Sequence, residues 1–530
     1  MNRMPESRTL PKLVSELIAL YGEREAVVGN GQRLTYAQLG AQVAAVARRL
    51  IRLGVGHGDK VGILMGNRPE WIVSALAITS VGGVAVALNS WATPRELEHL
   101  IRHSDCRLLI AAPRFLKHDY GAMLDGMAPL AKRLPLLQGV LGIGDDLPVG
   151  WMPLLDADGS DAAAVDAEMR RAGDAVRPED LAFLLYTSGS TSTPKGVQLV
   201  HGSVIANPWQ IGERQHVVAG DRLWLAVSLF WGLGCVNAMM NLLTHGGCIV
   251  LQESFDPGAA LSLIQDERCT LFYGTPNMAQ ALHDHPDRSR YDLSTLRGGA
   301  TLGTPEQVMR VVELGATQIC NIYGLTETYG NSHVTDAGDA LERRLTSCGR
   351  PLPGVIQRIV APDGADLPPG RIGEVRVKGH VTAGYHKDEA LTRQSIDEQG
   401  FFRTGDLGYV DEDGYLYFCG RLKDMVKTGG INVAPAEVEA VLMDHPSICV
   451  AYVVGVPDDS RDEILGALVV PHPGANLSIE QVVAHCRANL AAYKVPRLVR
   501  FVEETTIPLT VTGKVQKNKL AETFFAPVAG

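Results

Sequence analysis

The sequence lacks the cysteine patterns of a zinc protein or a disulfide-stabilised secreted domain. Its nine cysteines are an odd number, and they include no CxxC pair and no ligand spacing with histidine. Zinc sites and small disulfide scaffolds both depend on such spacings. We therefore expect reduced thiols, as in a cytoplasmic protein, and neither a zinc site nor a disulfide framework.

The sequence also lacks a secretory signal and an uninterrupted membrane span. The N-terminal stretch MNRMPESRTLPK has no apolar core of the kind found in signal peptides. The most apolar run, Trp71 to Leu88, has the length of a membrane helix, but Gly82 and Gly83 interrupt it. This pattern predicts a buried helix followed by a buried strand, with no integral membrane segment.

An excess of positive charge is missing as well. The chain carries 59 acidic and 49 basic residues, for a net charge of -10. This balance gives no electrostatic footprint for nucleic acid, although a local cluster of donors can still bind the phosphates of a small ligand. At 530 residues, 46% hydrophobic and 20% charged, the chain is typical of a globular protein with two or more domains.

Helical and strand-like patterns alternate along most of the chain. Ala41–Leu53 is amphipathic, Asp59–Met65 reads as a buried strand, Pro69–Ile78 as a helix and Val84–Leu88 as a strand. Further strand-like runs are LWLAVSLF from Leu223, CIVLQE, TLFYG and QICNIYG. Strands alternating with helices predict an α/β fold in which helices cover parallel sheets.

The pattern changes after about Pro351. Short strands are separated by the turn signals PDG, PPG and DEDG, which predicts a small, antiparallel, β-barrel-like region. A compact α+β pattern then runs to the end, with helices predicted at Pro435–Met443 and Ile479–Leu490 and strands at Val450–Val456 and Gly466–Pro471. We place a domain boundary near Leu422, which predicts a large domain over 1–421 and a small one over 422–530.

The stretch YTSGSTSTPKGV, Tyr186 to Val197, is rich in hydroxyl and small residues and contains one lysine. Small residues let backbone N–H groups converge into an anion-binding nest, and hydroxyls and a cation add donors. The candidate phosphate-binding residues are Thr187, Ser188, Gly189, Ser190, Thr191 and Lys195. The pattern differs from a Walker loop, and by composition alone a flexible surface loop fits it equally well.

In the company of five further motifs, this stretch resembles the acyl-adenylate-forming superfamily, which includes acyl-CoA synthetases. The motifs follow the family order: RGGATL (297–302), YGLTET (323–328), RTGDLG (403–408), GRLKDMVKTGGINVAPAEVE (420–439) and TVTGK (510–514). The resemblance extends from LTYAQL at Leu34 to GKVQK at Gly513, which is nearly the whole chain. It implies a mobile C-terminal domain, the substrates ATP and CoA, and Mg²⁺.

The resemblance implies a two-step reaction. A carboxylate and ATP first form acyl-AMP and pyrophosphate, and a thiol then takes the acyl group. Lys514 is implied as the lysine that bridges carboxylate and α-phosphate, and Thr187 and Glu327 as magnesium ligands, with Lys195 and Glu327 among the catalytic residues. The other residues implied to bind ATP or AMP are Gly299, Ala300, Tyr323, Gly324, Thr326, Asp406 and Arg421.

The resemblance also implies a hinge at Lys423, about which the small domain rotates between the two half-reactions. Rotation would bring Gly429 and Gly430 to the pantetheine arm of CoA. The chain departs from the family at Ser192, where glycine is common, and a residue with a β-carbon allows fewer loop conformations.

The acid substrate is predicted to be apolar. The acyl-binding region implied by the resemblance, Val227–Met240, contains no aspartate, which argues against an amino acid. Phe230, Trp231, Gly232 and Gly299 are the predicted pocket residues, although Trp231 also fits plain core packing. The sequence does not decide whether the acid is fatty, aromatic or alicyclic. It also leaves three alternatives: a carrier-protein thiol could replace CoA, the protein could be a non-catalytic nucleotide-binding homologue, and it could form a homodimer.

Overall fold

The computed structural model describes residues 3–155, 162–187, 194–428, 431–458, 462–509 and 515–525. The backbone divides into two compact units. The first comprises Met1–Ile356 and Val377–Phe402, and the second comprises Gln357–Arg376 and Arg403–Gly530. The boundary at Leu422 that we predict as a functional hinge stays a prediction. Among the described residues, helices long and apolar enough to cross a bilayer are absent.

The helices are α1 Leu10–Tyr21, α2 Tyr36–Arg52, α3 Pro69–Ser80, α4 Pro94–His103, α5 Tyr120–Asp125, α6 Leu130–Arg133, α7 Ala162–Ala175, α8 His201–Arg214, α9 Met240–His245, α10 Pro257–Asp266, α11 Pro276–His283, α12 Pro305–Glu313, α13 Leu341–Thr346, α14 Glu389–Ser395, α15 Pro435–Met443, α16 Ile479–Asn489 and α17 Lys517–Phe525. A π-helix, Leu233–Met239, leads directly into α9.

The strands are β1 Glu25–Gly29, β2 Gln32–Thr35, β3 Lys60–Leu64, β4 Val84–Ala87, β5 Cys106–Ala111, β6 Arg114–Phe115, β7 His118–Asp119, β8 Gly139–Gly142, β9 Met152–Pro153, β10 Leu181–Thr187, β11 Lys195–Val200, β12 Arg222–Leu225, β13 Cys248–Leu251, β14 Leu271–Tyr273, β15 Gly298–Thr301, β16 Gln318–Tyr323, β17 His333–Val334, β18 Arg350–Pro351, β19 Ile356–Val360, β20 Gly373–Lys378, β21 Gly384–Tyr385, β22 Phe402–Val410, β23 Leu416–Arg421, β24 Val426–Thr428, β25 Ile431–Val433, β26 Ile448–Asp458, β27 Asp462–Pro471 and β28 Leu498–Phe501.

The first unit contains two large sheets. A nine-stranded sheet has the order β18-β17-β16-β15-β14-β12-β13-β1-β2, and an eight-stranded sheet has the order β21-β11-β10-β4-β3-β5-β8-β9. The central strands of both are parallel, from β16 to β1 in the first and from β10 to β9 in the second. The predicted α/β class with parallel sheets is confirmed.

Local sequence explains how the covering helices form. Helix α2 begins at a capping box in which the Thr35 hydroxyl accepts from the Gln38 backbone N–H and the Gln38 side chain accepts from the Thr35 N–H. Its buried face carries Leu39, Val43 and Leu50 at helical spacing. The apolar run from Trp71 divides into α3 and β4 as predicted, and both elements are buried on nearly every side.

The second unit contains two smaller sheets. One has the order β19-β20-β22-β23, and its last pair is antiparallel. The other has the order β25-β24-β27-β26, with β28 added beside β27. Helices α15 and α16 supply Val438, Leu442 and Val482 to a core against β26 and β27. The helix predicted at Pro435–Met443 is confirmed, and the one predicted from Ile479 ends at Asn489.

Candidate active site

The hydroxyl-rich stretch connects two antiparallel strands of the eight-stranded sheet. Strand β10 ends at Thr187 and β11 begins at Lys195, and these two residues are direct cross-strand partners. The hydroxyl and the ammonium therefore flank the same end of the hairpin. Predicted residues Ser188, Gly189, Ser190, Thr191 and Ser192 lie outside the described residues.

A tyrosine links Lys195 to the predicted metal-binding carboxylate. Tyr385 lies on β21, the strand that pairs with β11, and the Lys195 Nζ is 5.7 Å from its ring centroid. The Tyr385 hydroxyl donates a 2.8 Å hydrogen bond to Oε1 of Glu327. Burial raises the pKa of the Tyr385 phenol, and the nearby Glu327 carboxylate raises it further. The phenol therefore stays protonated and acts as a donor.

Glu327 is held in place by its backbone as well. It lies in a single 3₁₀ turn, Thr326–Thr328, directly after β16, and the residue is 8% exposed. Its carbonyl accepts a 2.6 Å hydrogen bond from the Thr382 N–H, and β11 packs against this turn. A carboxylate this buried is oriented by its partners rather than by solvent.

The loop after β16 is closed by short-range hydrogen bonds. The Leu325 N–H donates to the Thr328 hydroxyl at 2.9 Å, and the Gly330 N–H donates to the Leu325 carbonyl. Gly324 has no room for a side chain, since a β-carbon there would lie 2.3 Å from the Gly330 carbonyl oxygen. Tyr323, the last residue of β16, is buried beside His333.

The predicted adenine-binding strand lies in the middle of the nine-stranded sheet. Gly299 has a φ of +113°, and a β-carbon there would be 1.9 Å from the Phe272 carbonyl oxygen, so only glycine fits. Ala300 is paired with Tyr273 across β14 and β15. Strands β14, β15 and β16 are parallel, and the carboxyl edge of such strands is where α/β proteins bind ligands.

The predicted acyl-binding residues belong to an aromatic cluster. The ring centroids of Phe230 and Trp231 lie 5.2 Å apart, and both pack edge-on against Trp91, at 5.3 Å and 5.2 Å. Phe230 is buried and the two tryptophans are half-buried. A β-carbon at Gly232 would lie 3.5 Å from the Thr326 hydroxyl, so this segment adjoins the turn that carries Glu327.

In the second unit, Asp406 and Arg421 are brought together. They are cross-strand partners on β22 and β23, and the Arg421 Nε lies 2.7 Å from Oδ1 of Asp406. The Asp406 side chain is 3% exposed. The backbone N–H of Asp406 donates to the Thr404 hydroxyl, which in turn donates to the Val375 carbonyl. One strand pair therefore carries a carboxylate, which can accept from sugar hydroxyls, and a guanidinium, which can donate to phosphate.

The residues predicted at the hinge and in the C-terminal domain are only partly described. Lys423 is exposed in a 3₁₀ turn, Leu422–Asp424, that directly follows β23. Predicted residues Gly429, Gly430 and Lys514 lie outside the described residues. Lys517, close to Lys514 in sequence, is paired at 2.5 Å with the Glu439 carboxylate of α15.

Tyr385 and Trp91 were missed by the sequence reasoning. Tyr385 lies in a two-residue strand, which is too short to show periodicity. Trp91 could have been predicted from the sequence, because it follows the carboxyl end of the buried parallel strand β4, where α/β proteins bind ligands. These two residues add a hydrogen-bond donor to Glu327 and a third ring to the aromatic cluster.

Two parallel sheets, a buried Glu327 after β16 and a separate α+β unit are the features of an adenylate-forming enzyme. The family described as AMP-binding enzyme matches residues 15–386, and the family described as AMP-binding enzyme C-terminal domain matches residues 437–514. The chain belongs to the AMP-binding enzyme family, in its acyl-CoA ligase branch.

Three similar proteins agree with this assignment. A 7a-methyl-1,5-dioxo-octahydro-1H-inden-4-yl-propanoyl:CoA ligase from Mycobacterium tuberculosis is 35% identical, over 97% of this chain and 99% of that protein. A feruloyl-CoA synthase from Amycolatopsis sp is 34% identical, over 94% and 96%. The crystal structure of the anthranilate CoA ligase AuaEII with anthranoyl-AMP superposes with a TM-score of 0.83 at 27% identity, over 98% of each chain. The protein is an ATP-dependent, AMP-forming acyl-CoA ligase.

Proposed function

We propose that the protein activates a cyclic carboxylic acid, aromatic or alicyclic, and transfers it to CoA. The observation that carries this proposal is the Trp91, Phe230 and Trp231 cluster, whose segment adjoins the Glu327 turn at Gly232. Aromatic side chains that meet edge to face offer flat apolar surface suited to a ring. Three of the similar proteins support a cyclic acid, since feruloyl, anthranoyl and indenyl-propanoyl groups all contain rings, whereas a medium-chain acyl-CoA ligase and a fatty acyl CoA synthetase are also similar.

In the first half-reaction, we propose that Lys195 and the hydroxyl of Thr187 bind the ATP phosphates from the mouth of the β10–β11 hairpin, with Ser188 to Thr191. Lys514 would bridge the substrate carboxylate and the α-phosphate, so that the charge developing there is neutralised as pyrophosphate leaves. Positioning and charge neutralisation dominate this chemistry, because both reactants are anions.

The residues present fit a magnesium ion. Among the described residues, groups of three or more His, Cys, Asp or Glu that could hold a metal are absent. Mg²⁺ commonly uses one or two protein oxygens and completes its shell with water and substrate phosphates. Glu327 and Thr187 would hold it, and it would supply positive charge beside the triphosphate. Tyr385 would keep the Glu327 carboxylate oriented.

For the nucleoside, we propose that the Asp406 carboxylate accepts hydrogen bonds from the ribose hydroxyls. Arg421 would neutralise the charge of Asp406 and would also contact a phosphate. Gly299, Ala300 and Tyr323 would contact adenine, with Gly324 and Thr326 beside the phosphate. The absence of a side chain at Gly299 supports close approach of a flat ring to the backbone.

For the second half-reaction, we propose that rotation about Lys423 withdraws Lys514 and brings Gly429 and Gly430 to the pantetheine arm. The exposed 3₁₀ turn at Leu422–Asp424 supports a pivot there, since few contacts would have to break. CoA is the acceptor that the ligase relatives support, and a carrier-protein thiol is the alternative.

The test is pyrophosphate release by purified protein with ATP and Mg²⁺ across benzoates, cinnamates, cyclohexane carboxylates, graded fatty acids and amino acids, with and without CoA. We expect CoA-dependent turnover that is fastest with a cyclic acid. Fastest turnover with a fatty acid would contradict the substrate class. Slow release without CoA dependence would favour a carrier protein, and no release together with ATP binding would favour a non-catalytic homologue.

A further inference from the structure

Five buried polar side chains in the first unit satisfy one another only in part. They are Gln215, Asn237, Asn241, Tyr273 and Asn331, and each is 2% exposed or less. They come from the end of α8, the π-helix, α9, the end of β14 and the loop after β16. We call this set the amide cluster.

Some hydrogen bonds within the amide cluster are made. The Asn331 Nδ2 donates to the Tyr273 hydroxyl at 3.2 Å, and the Asn241 Nδ2 donates to Oε1 of Gln215 at 3.1 Å. Asn331 is anchored further, since its carbonyl accepts from the Asn207 side chain at 2.8 Å. The cluster is therefore fixed at its edges.

Other polar atoms of the amide cluster lack hydrogen-bond partners. Neither Nδ2 nor Oδ1 of Asn237 has a hydrogen-bond partner among the described residues, and the same holds for Nε2 of Gln215 and Oδ1 of Asn241. Each buried amide atom left without a partner costs about 1–3 kcal/mol. Four such atoms close together are unusual in a stable fold and call for a partner that the described residues do not supply, which is a buried water or a ligand group.

Two of the residues that carry these atoms, Gln215 and Asn237, lie beside the Tyr273 hydroxyl. Burial raises the pKa of the Tyr273 phenol, while the amides of Asn331, Gln215 and Asn237 oppose that rise. The Gln215 and Asn237 amides thus lie close to this hydroxyl. Asn237 also lies against Gly330, where a β-carbon would be 1.8 Å from its Oδ1.

The amide cluster lies on segments that also carry residues of the candidate site. Asn237 follows Trp231 by six residues, on the π-helix that continues from the aromatic segment, and π-helical turns often occur at functional sites. Tyr273 ends β14 and pairs with Ala300. Asn331 follows the Glu327 turn. The cluster residues therefore belong to the same segments as the aromatic residues, Ala300 and the Glu327 turn.

We infer that the amide cluster binds a neutral oxygen-bearing group, a ketone or a hydroxyl, on the substrate ring at the end away from its carboxylate. This inference rests on the proposed function. Amides and a phenol offer both donors and acceptors but carry no formal charge, so they suit a neutral polar group and would not pair an ammonium or a second carboxylate. A site built in this way discriminates strongly against an analogue that lacks the oxygen, because the amides are then left unpaired.

The first test uses the wild-type enzyme and pairs of acids with one carbon skeleton: 4-oxocyclohexanecarboxylate with cyclohexanecarboxylate, and 4-hydroxycinnamate with cinnamate. We expect kcat/KM for CoA-dependent turnover to be at least about tenfold higher for the oxygenated acid of one pair. Equal values in every pair, with both acids turned over, would overturn the inference and leave the proposed function intact. Failure to turn over any acid would overturn both.

The second test uses Asn237→Leu, which keeps the shape but removes the amide. We expect the preference for the oxygenated acid to fall to about one, chiefly through loss with that acid. Thr244→Val is the matched control, because Thr244 is buried on the adjoining α9 but its hydroxyl is satisfied by the Met240 carbonyl. An equal loss with both acids would indicate a structural role and overturn the inference. Gln215→Met in the same assay replaces Asn237→Leu if that variant does not fold.

Discussion

The Tyr385 hydroxyl lies 2.8 Å from Oε1 of Glu327 and donates a hydrogen bond to it, while the Lys195 ammonium lies above the same tyrosine ring. Three residues from β11, β21 and the turn after β16 are thereby coupled through one side chain. Tyr385 is a positioning residue in this arrangement, since it acts through the carboxylate rather than on a substrate.

Tyr385→Phe should lower the rate of acyl-AMP formation about tenfold and raise the Mg²⁺ concentration needed for half-maximal rate. The reason is that a hydrogen bond to a charged carboxylate contributes about 1.5–3 kcal/mol, and without it Glu327 is no longer oriented. Pyrophosphate release measured over a magnesium titration gives both quantities.

Tyr36→Phe is the control for that experiment. The Tyr36 hydroxyl is also buried and donates a 2.8 Å hydrogen bond, but to the Gly247 carbonyl. Its removal should lower stability without changing the magnesium requirement. If Tyr385→Phe behaves in the same way as Tyr36→Phe, Tyr385 does not position Glu327.

Trp231→Ala should change the ranking of acid substrates. Removing this ring opens the aromatic cluster, and a changed apolar pocket typically alters relative kcat/KM values about tenfold or more. Trp91→Ala should shift the ranking in a similar direction, because Trp91 contacts both other rings. The measurement is kcat/KM over the acid panel, with Trp231→Phe as the conservative control, and an unchanged ranking would remove the cluster from the pocket.

Lys514→Ala should reduce acyl-AMP formation by about 10²–10³-fold, the usual effect of losing one group that stabilises transition-state charge. Thioester formation from supplied acyl-AMP should persist. Lys517→Ala is the matched control, because Lys517 is paired with Glu439 and should matter for the stability of the second unit. The assignment fails if both variants lose the two half-reactions equally.

Lys423→Pro should slow thioester formation about tenfold while leaving acyl-AMP formation nearly unchanged. Proline restricts the backbone of the 3₁₀ turn in which Lys423 lies, and it would oppose a rotation there. Lys423→Ala keeps the backbone free and separates this effect from loss of the charge. Stopped-flow measurement of each half-reaction provides the comparison, and equal losses in both would contradict a hinge at this position.

The first unit should lose stability as pH falls from 6.5 to 4. Burial lowers the pKa of His201 to about 4, and its Nδ1 accepts a hydrogen bond from the Leu10 N–H. In the unfolded chain this histidine takes up a proton near pH 6.5, while the folded protein does not. Stability from this residue is therefore complete above pH 6.5 and is reduced by about 3 kcal/mol near pH 4.

Urea unfolding followed by tryptophan fluorescence measures that loss, because all six tryptophans lie in the first unit. His201→Asn should flatten the dependence on pH across this range. The exposed His472 of the second unit, changed to asparagine, is the control and should leave the slope as it is. An identical slope in wild type and His201→Asn would show that His201 is not the titrating group.

The fold class and the family of this protein could be predicted from its sequence. Buried parallel strands such as Val84–Ala87, which directly follows two glycines, are continuous apolar runs. Amphipathic helices such as α2 carry their own caps, so the α/β class follows from local pattern. The six ordered motifs indicate the family because each combines glycine with charged or hydroxyl residues in a distinctive local order.

Other relationships were decided by tertiary structure alone. Tyr385 meets Glu327 because β21 pairs with β11, a contact between residues 58 positions apart that no periodicity encodes. The amide cluster depends on five separate segments that converge, and each asparagine or glutamine by itself is an ordinary polar residue. Local sequence determines which elements form and which face is buried, whereas the partners of a buried polar group depend on how distant elements pack.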